Sequence, residues 1–377
     1  MMRSTVVWLA LFLLAAPVSA QVRSGGNAAV LYEQYSFESG LGFTDVSELS
    51  IPLTLSTDLT NRLHLTVSSG ITQVSLTGDP SLQLEDQEIS GLVDTEARFV
   101  MDLIPDRVSF LATAVVPTGT EALDVDEEAI ITALSSQLIG FSTTRLGGGG
   151  RAGAGLVGAF PFGEMALGLA GTYTHSLGYN PVLGQASEWK PGGELRFRAG
   201  LEGTVAPQSY LRVAAIFAAR QADQLDGETQ GEIGSQFHLY ASLNQGLQSS
   251  TLTLYAFDSY RSAPQIEATP IGAVQLPKGN LLALGAKLEF PVARETRLVP
   301  KVEFRSLSEA PKDATGDGAL ESAGSTFRVG ADLKHPLSRN LALVIEANGL
   351  FGSVGVGDGT TVGVSGFRGG LHLELRR

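Results

Sequence analysis

Glu194-Leu195-Arg196-Phe197-Arg198-Ala199-Gly200-Leu201-Glu202-Gly203-Thr204-Val205-Ala206 runs into Pro207-Gln208-Ser209. Tyr210-Leu211-Arg212-Val213-Ala214-Ala215-Ile216-Phe217-Ala218-Ala219-Arg220-Gln221 follows. In the first run Leu195, Phe197, Ala199, Leu201, Gly203 and Val205 share one parity, and Glu194, Arg196, Arg198, Glu202 and Thr204 share the other. The second run sets Leu211, Val213, Ala215, Phe217 and Ala219 against Tyr210, Arg212 and Arg220. Strict alternation means β-strands with two unlike faces. At roughly 3.3 Å per residue and a tilt near 45°, about 12 residues cross the apolar layer of a bilayer. A face of small and apolar groups backed by a face of arginine and glutamate suits a transmembrane barrel with lipid outside and water inside.

The same alternation recurs from Ala28 to the C-terminus. Leu49, Ile51, Leu53 and Leu55 share a face, as do Leu63, Leu65 and Val67; Val93, Ala97, Phe99 and Met101 oppose Asp94, Glu96 and Arg98. Further runs lie near 107–116, 151–160, 164–175, 235–245, 250–261, 281–292, 296–306, 326–335, 341–351 and 363–376. The expected fold is all-β, an antiparallel up-and-down barrel of about 16 strands, with 14 the competing count. Short turns, as at Pro207-Gln208-Ser209, alternate with longer polar loops, which assigns the turns to the periplasm and the loops to the exterior. Any fixed repeat of a propeller or solenoid is missing.

The chain has 377 residues, no cysteine and a net charge of −13. The acidic balance argues against a nucleic-acid partner. Residues 1–20 read as a secretory signal: Arg3, an apolar stretch from Val6 to Ala16, then Val18-Ser19-Ala20 before Gln21. Residues 21–377 read as one barrel domain in a bacterial outer membrane. No later apolar run is long enough for a helical span, so membrane insertion rests on strands.

Parity gives the expected pore lining: Arg62, Asp94, Glu96, Arg98, Glu194, Arg196, Arg198, Arg212, Lys287, Arg297, Lys301, Glu303, Arg305 and Arg328. Such residues either form a lattice of ion pairs or a basic strip that favours anions, and the two are compatible. The outer loops are acidic, as at Asp223, Asp226, Glu228 and Glu232. Acid there either keeps the loops solvated or lets divalent cations bridge them to surface lipopolysaccharide.

The segment from Pro117 to Gly150 differs from the other loops. Asp124 followed by Glu127 is a helix-start signal, and Leu123, Ile130, Leu134 and Leu138 recur at helical spacing. An amphipathic helix over 121–140 is expected to fold into the mouth and constrict it, to lie over the rim as a lid, or to pack on neighbouring loops. Gly147-Gly148-Gly149-Gly150 lacks the Lys-Ser/Thr of a phosphate loop and reads as a flexible hinge.

Val115-Val116-Pro117-Thr118-Gly119 resembles a short motif in outer-membrane barrels of the phenol-degradation type, and the architecture resembles the wider group of porins and hydrophobic-compound transporters. That resemblance implies transport of small compounds. The third-loop position is similar to the inward-folding loop of general porins. The last strand, with Phe367, Leu371, Leu373 and Leu375 on one parity, resembles the segment recognised in barrel assembly, although the chain ends in Arg376-Arg377 rather than an aromatic residue.

The expected function is an outer-membrane channel for passive diffusion of small solutes through a polar, partly basic lumen. The alternatives are a hydrophobic-compound transporter with a helical lid, and a structural or adhesive barrel without an open pore. The five histidines give no metal spacing, and His64 with Ser68-Ser69-Gly70 does not match a phospholipase segment. No enzyme activity, cofactor or metal is expected. Partners are outer-membrane lipid, lipopolysaccharide and a small solute; homo-oligomers are left open, since general porins are often trimers.

Overall fold

The computed structural model describes residues 24–82, 85–120, 127–184, 186–266, 276–310, 318–356 and 359–375. The signal segment, Leu123 and Asp124 lie outside the described residues. Sixteen antiparallel strands close into a barrel. In chain order they are β1 (Ser24–Phe37), β2 (Phe43–Asp58), β3 (Leu63–Gly78), β4 (Gln87–Ile104), β5 (Val108–Val116), β6 (Arg151–Phe162), β7 (Met165–Ser176) and β8 (Glu194–Ala206). They continue as β9 (Ser209–Arg220), β10 (Gln236–Leu247), β11 (Ser250–Arg261), β12 (Gly279–Pro291), β13 (Arg297–Glu309), β14 (Glu321–Pro336), β15 (Leu341–Gly355) and β16 (Thr361–Leu375). Each strand pairs with its sequence neighbour, and β1 closes on β16 from Gly26↔Leu375 to Phe37↔Val364.

The alternation explains the wall. Phe197, Phe217, Leu239, Leu254, Val302, Phe327 and Leu371 stand exposed on its outer surface. Phe304, Phe327 and Phe351 stack across three strands there, with ring centroids 4.8 and 5.8 Å apart. Such cross-strand aromatic contacts fix register. An exposed apolar girdle on a closed barrel, with short turns at one end and long loops at the other, is the form of an outer-membrane barrel. No described helix is long and apolar enough to cross a membrane. The chain is therefore an all-β, membrane-spanning barrel of the bacterial outer membrane.

The wall is taller on one side. β2, β3 and β14 have 16 residues and β4 has 18, against 12 for β6, β7 and β9. In the tall part the hydrophobic phase inverts. Low on β3, Leu63, Leu65 and Val67 face lipid; high on it, Gln73 and Ser75 take the outer parity and Val74 and Leu76 are buried inside. On β1, likewise, Gln34 and Ser36 are outside while Tyr35 and Phe37 are buried. These strand tops thus stand in water outside and on an apolar core inside.

That core is made with the 117–150 loop. Its helix, α1 (Glu128–Leu134), is 7 residues long, shorter than the 121–140 expected. Glu127 is its N-cap residue, with no side-chain capping bond to the helix backbone. Leu138 lies in the turn beyond the helix, not on it. Ile130, Leu134, Leu138, Ile139, Phe141 and Leu146 are buried against Tyr35, Phe37, Phe43, Val46, Val74, Leu76 and Ile89, and against Leu307, Leu350, Val354 and Val364. The loop leaves the wall between β5 and β6 and reaches β13 to β16, so it crosses the interior of the barrel.

The other outer loops build a small four-stranded sheet from Gln265–Ile266, Glu228–Glu232, Asp223–Leu225 and Trp189–Lys190. Trp189 in this sheet and Tyr179, which bridges to it, are both buried. The sequence does not announce this sheet, because its strands are too short to show a period.

Candidate functional site

The root of the loop is fixed by Asp94. Its Oδ1 accepts from the Gly119 amide at 3.0 Å and its Oδ2 from the Gly148 amide at 2.9 Å, so one carboxylate holds both the departing and the returning chain. The Asp94 amide donates to the Leu146 carbonyl at 3.1 Å. Thr118 donates to the Val93 carbonyl at 3.1 Å and lies 2.9 Å from the Thr95 hydroxyl. Gly119 has no room for a Cβ, which would strike the Leu146 carbonyl. The Pro117-Thr118-Gly119 turn thus directs the loop inward. Asp94 faces inward as parity requires, but both its oxygens are taken by the loop rather than presented to the pore.

The tetraglycine is a packed seam, not an open hinge. Gly148, Gly149 and Gly150 are buried, and a Cβ on Gly149, whose φ is +76°, would meet the Tyr179 ring. Absent side chains let the loop pass close to the wall.

Beyond the helix, residues 137–140 form a strap against the far wall. Arg305 Nη1 donates to the Gln137 carbonyl at 2.9 Å, Thr326 Oγ1 to Leu138 at 3.0 Å, Arg328 Nη2 to Ile139, and Arg368 Nη2 to Gly140 at 2.7 Å. Glu33 Oε1 accepts from the Ser142 amide at 2.7 Å. Beneath the strap the charges are paired. Glu303 accepts from Arg305 at 2.8 Å and from Tyr255 at 2.7 Å, and Lys301 meets Asp332 at 2.7 Å. Lys287 lies 5.5 Å from the centre of the Tyr255 ring, and Arg297 pairs with Glu289 at 2.8 Å. Arg62 is not on the wall: it sits exposed in the turn between β2 and β3, one residue before the strand begins.

The other side of the lumen is open. A cavity of about 690 Å³ runs along β4 to β9. Seven arginines line it (Arg98, Arg145, Arg151, Arg196, Arg198, Arg212 and Arg220) against three glutamates, Glu96, Glu194 and Glu202. Arg212 pairs with Glu202 at 2.6 Å near the periplasmic end; Glu194 holds Arg196 at 2.6 Å and Arg220 at 3.0 Å near the outer end. The guanidinium groups of Arg98, Arg151 and Arg198 have no hydrogen-bond or ion-pair partner among the described residues. Apolar residues complete the lining, among them Leu111, Val115, Val157 and Ile216. The loop sheet frames the outer end. There Arg145 donates to the Tyr179 hydroxyl at 3.0 Å, and Asp223 accepts from the Gly192 amide at 2.6 Å. Burial pushes the Asp223 carboxyl above its ordinary range, against the pull of the Gly192 amide and of Arg220 and Arg145.

Parity placed Arg98, Arg196, Arg198 and Arg212 in one class with Lys301, Glu303, Arg305 and Arg328. The loop separates them, leaving the first set around a cavity and the second under a strap. Arg145 escaped the sequence reading because it lies in a loop without a period. His64 lies 2.7 Å from Asp58 and 3.8 Å from Asp102, whereas Ser69 is on the opposite parity of β3, with its hydroxyl donating to the Val93 carbonyl.

No family model matches the sequence, and no curated protein matches it. Among solved structures, OccAB3 of Acinetobacter baumannii has a TM-score of 0.48 at 10% identity over 95% of this chain and 100% of its own. The outer-membrane protein OprD of Pseudomonas aeruginosa gives 0.48 at 9% identity over 93% and 94%. An outer-membrane channel of Pseudomonas putida F1 gives 0.38 at 18% identity over 64% and 90%. The likeness is one of barrel architecture and carries nothing about solute or mechanism.

Proposed function

We propose that this barrel is an outer-membrane channel through which small anionic solutes diffuse down their gradient, along the conduit between the inward loop and β4 to β9. The observation that carries it is the cavity lining, in which seven arginines stand against three glutamates. Cationic rings lower the barrier for anions and raise it for cations. Three of the arginines have no carboxylate paired with them among the described residues, so a passing anion meets guanidinium groups outside the ion-pair lattice. The loop's role is to fill the opposite half of the lumen and so set the bore.

Reversal potentials across a planar bilayer under a potassium chloride gradient test the proposal. The wild-type pore is expected to prefer chloride. Substituting Arg98, Arg151 and Arg198 together by Gln leaves four arginines against three glutamates, and the preference should nearly vanish. A cation-preferring wild-type pore, or no conductance at all, overturns the proposal.

A second reading is uptake of small hydrophobic compounds. It is supported by the apolar strip of Leu111, Val115, Val157 and Ile216 in the cavity, and by the Val115–Gly119 resemblance. Negligible conductance with uptake of an apolar compound would favour it.

A further inference from the structure

Arg305, Arg328 and Arg368 come from three different strands, yet all three donate to carbonyl oxygens of one strap, those of Gln137, Ile139 and Gly140. A neutral backbone needs no more than neutral donors, and Thr326 serves Leu138 in that way. The charges are also unequal. Glu303 contacts Arg305 and Glu33 contacts Arg368 at 2.7 Å, but Arg328 has no carboxylate partner among the described residues. Its guanidinium is bonded by the Ile139 carbonyl, and Glu303 acts on it only from beyond ion-pair distance. A carboxylate or phosphate group bonds a guanidinium more strongly than a carbonyl does, and in two-pronged geometry. The cluster is also within reach of the lumen: the side chains of Arg305 and Arg368 retain 22% and 14% exposure.

We infer that Arg305, Arg328 and Arg368 form an anion-binding site for a carboxylate or phosphate group, filled at rest by the carbonyl oxygens of Gln137, Ile139 and Gly140 and taken over by an entering anion that releases the strap. The site lies across the loop from the open conduit, so it stands independently of that conduit's ion preference. What opposes release is the burial of Leu138 and Ile139, which are 2% and 1% exposed. An anion therefore shifts a balance between docked and released strap by its preference for the released state.

The chain has no cysteine, so a single introduced thiol reports the strap without background. The experiment follows maleimide labelling of Leu138→Cys in the folded full-length barrel, in citrate, in inorganic phosphate and in chloride at matched ionic strength. Ile139→Cys is the second reporter should the first fail to fold, and Thr132→Cys, already exposed on the helix, is the control. Citrate or phosphate should accelerate labelling of the strap thiol about tenfold and saturably, with the control unchanged. R328Q should abolish that dependence. Equal labelling rates in citrate, phosphate and chloride, or an acceleration that survives R328Q, would overturn the assignment.

Discussion

Replacing Asp94 by Ala should release the root of the inward loop while leaving the barrel closed. The carboxylate accepts from Gly119 at 3.0 Å and from Gly148 at 2.9 Å, and both bonds are partly buried. A hydrogen bond to a charged group contributes about 1.5–3 kcal/mol, so losing the pair costs about 3–6 kcal/mol, concentrated in one stretch of chain. The strands around it keep their ladder, because the Asp94 carboxylate takes no part in β4–β5 pairing. The loss therefore appears as local opening rather than global unfolding. Even the lower figure corresponds to a population shift of about 150-fold. Hydrogen exchange at the Gly119 and Gly148 amides should accelerate by at least that factor, and single-channel conductance should rise as the loop leaves the lumen. Glu96→Ala, one step along the same face, is the comparison for exchange, since the Glu96 carboxylate makes no hydrogen bond or ion pair with the loop among the described residues. If D94A leaves conductance at the wild-type level and exchange at the level of E96A, the staple is not what holds the loop.

Removing residues 128–140 should raise conductance well above wild type and broaden solute acceptance; an unchanged conductance would exclude the loop as the element that sets the bore. Leu134→Ala, at a side chain of 0% exposure, should destabilise the rim core by about 2–5 kcal/mol, read from exchange in β3 and β4 tops, with membrane insertion intact. Because the Asp223 carboxyl is raised in the folded state, its ionisation opposes the loop sheet. Protection of the 189–190 and 223–232 amides should be greatest below the ordinary carboxylate range and decline as pH climbs through the raised value. Asp223→Asn keeps an acceptor for Gly192 and should flatten that profile; an unaltered profile refutes the assignment.

The membrane-spanning wall was legible because lipid imposes one rule on every strand. Glu194–Ala206 and Ser250–Arg261 have the limits that alternation alone assigns. The rim was not legible for the same reason. On β3 the outward period shows at Leu63, Leu65 and Val67, well short of the strand's end at Gly78, because above Ile71 the apolar residues move to the inner face. A reader who takes apolar to mean lipid-facing sees the period fail there, although only its phase has changed. Parity also gives direction without destination. It points Asp94 and Arg328 inward, but says nothing of a loop that crosses the lumen to occupy them. Arg62 misled because it abuts a strand in sequence while standing in the turn. The helix was read too long since Leu138 continues its spacing, yet that residue is held by burial against the wall rather than by helical hydrogen bonds.

The inverted strand tops carry a thermal consequence. The lower wall is held by a backbone ladder shielded by lipid, whereas the rim is held by apolar side chains withdrawn from water, as in a soluble protein. Withdrawal from water stabilises less as temperature falls. On cooling, the wedge of Ile130, Leu134 and Phe141 against Val46, Val74 and Leu76 is therefore the first contact to slacken. Ion mobility falls with the rising viscosity of cold water, so a plain tube conducts less. This barrel should depart from that trend, with wider openings appearing in the cold as its inside-out rim loses its grip on the loop.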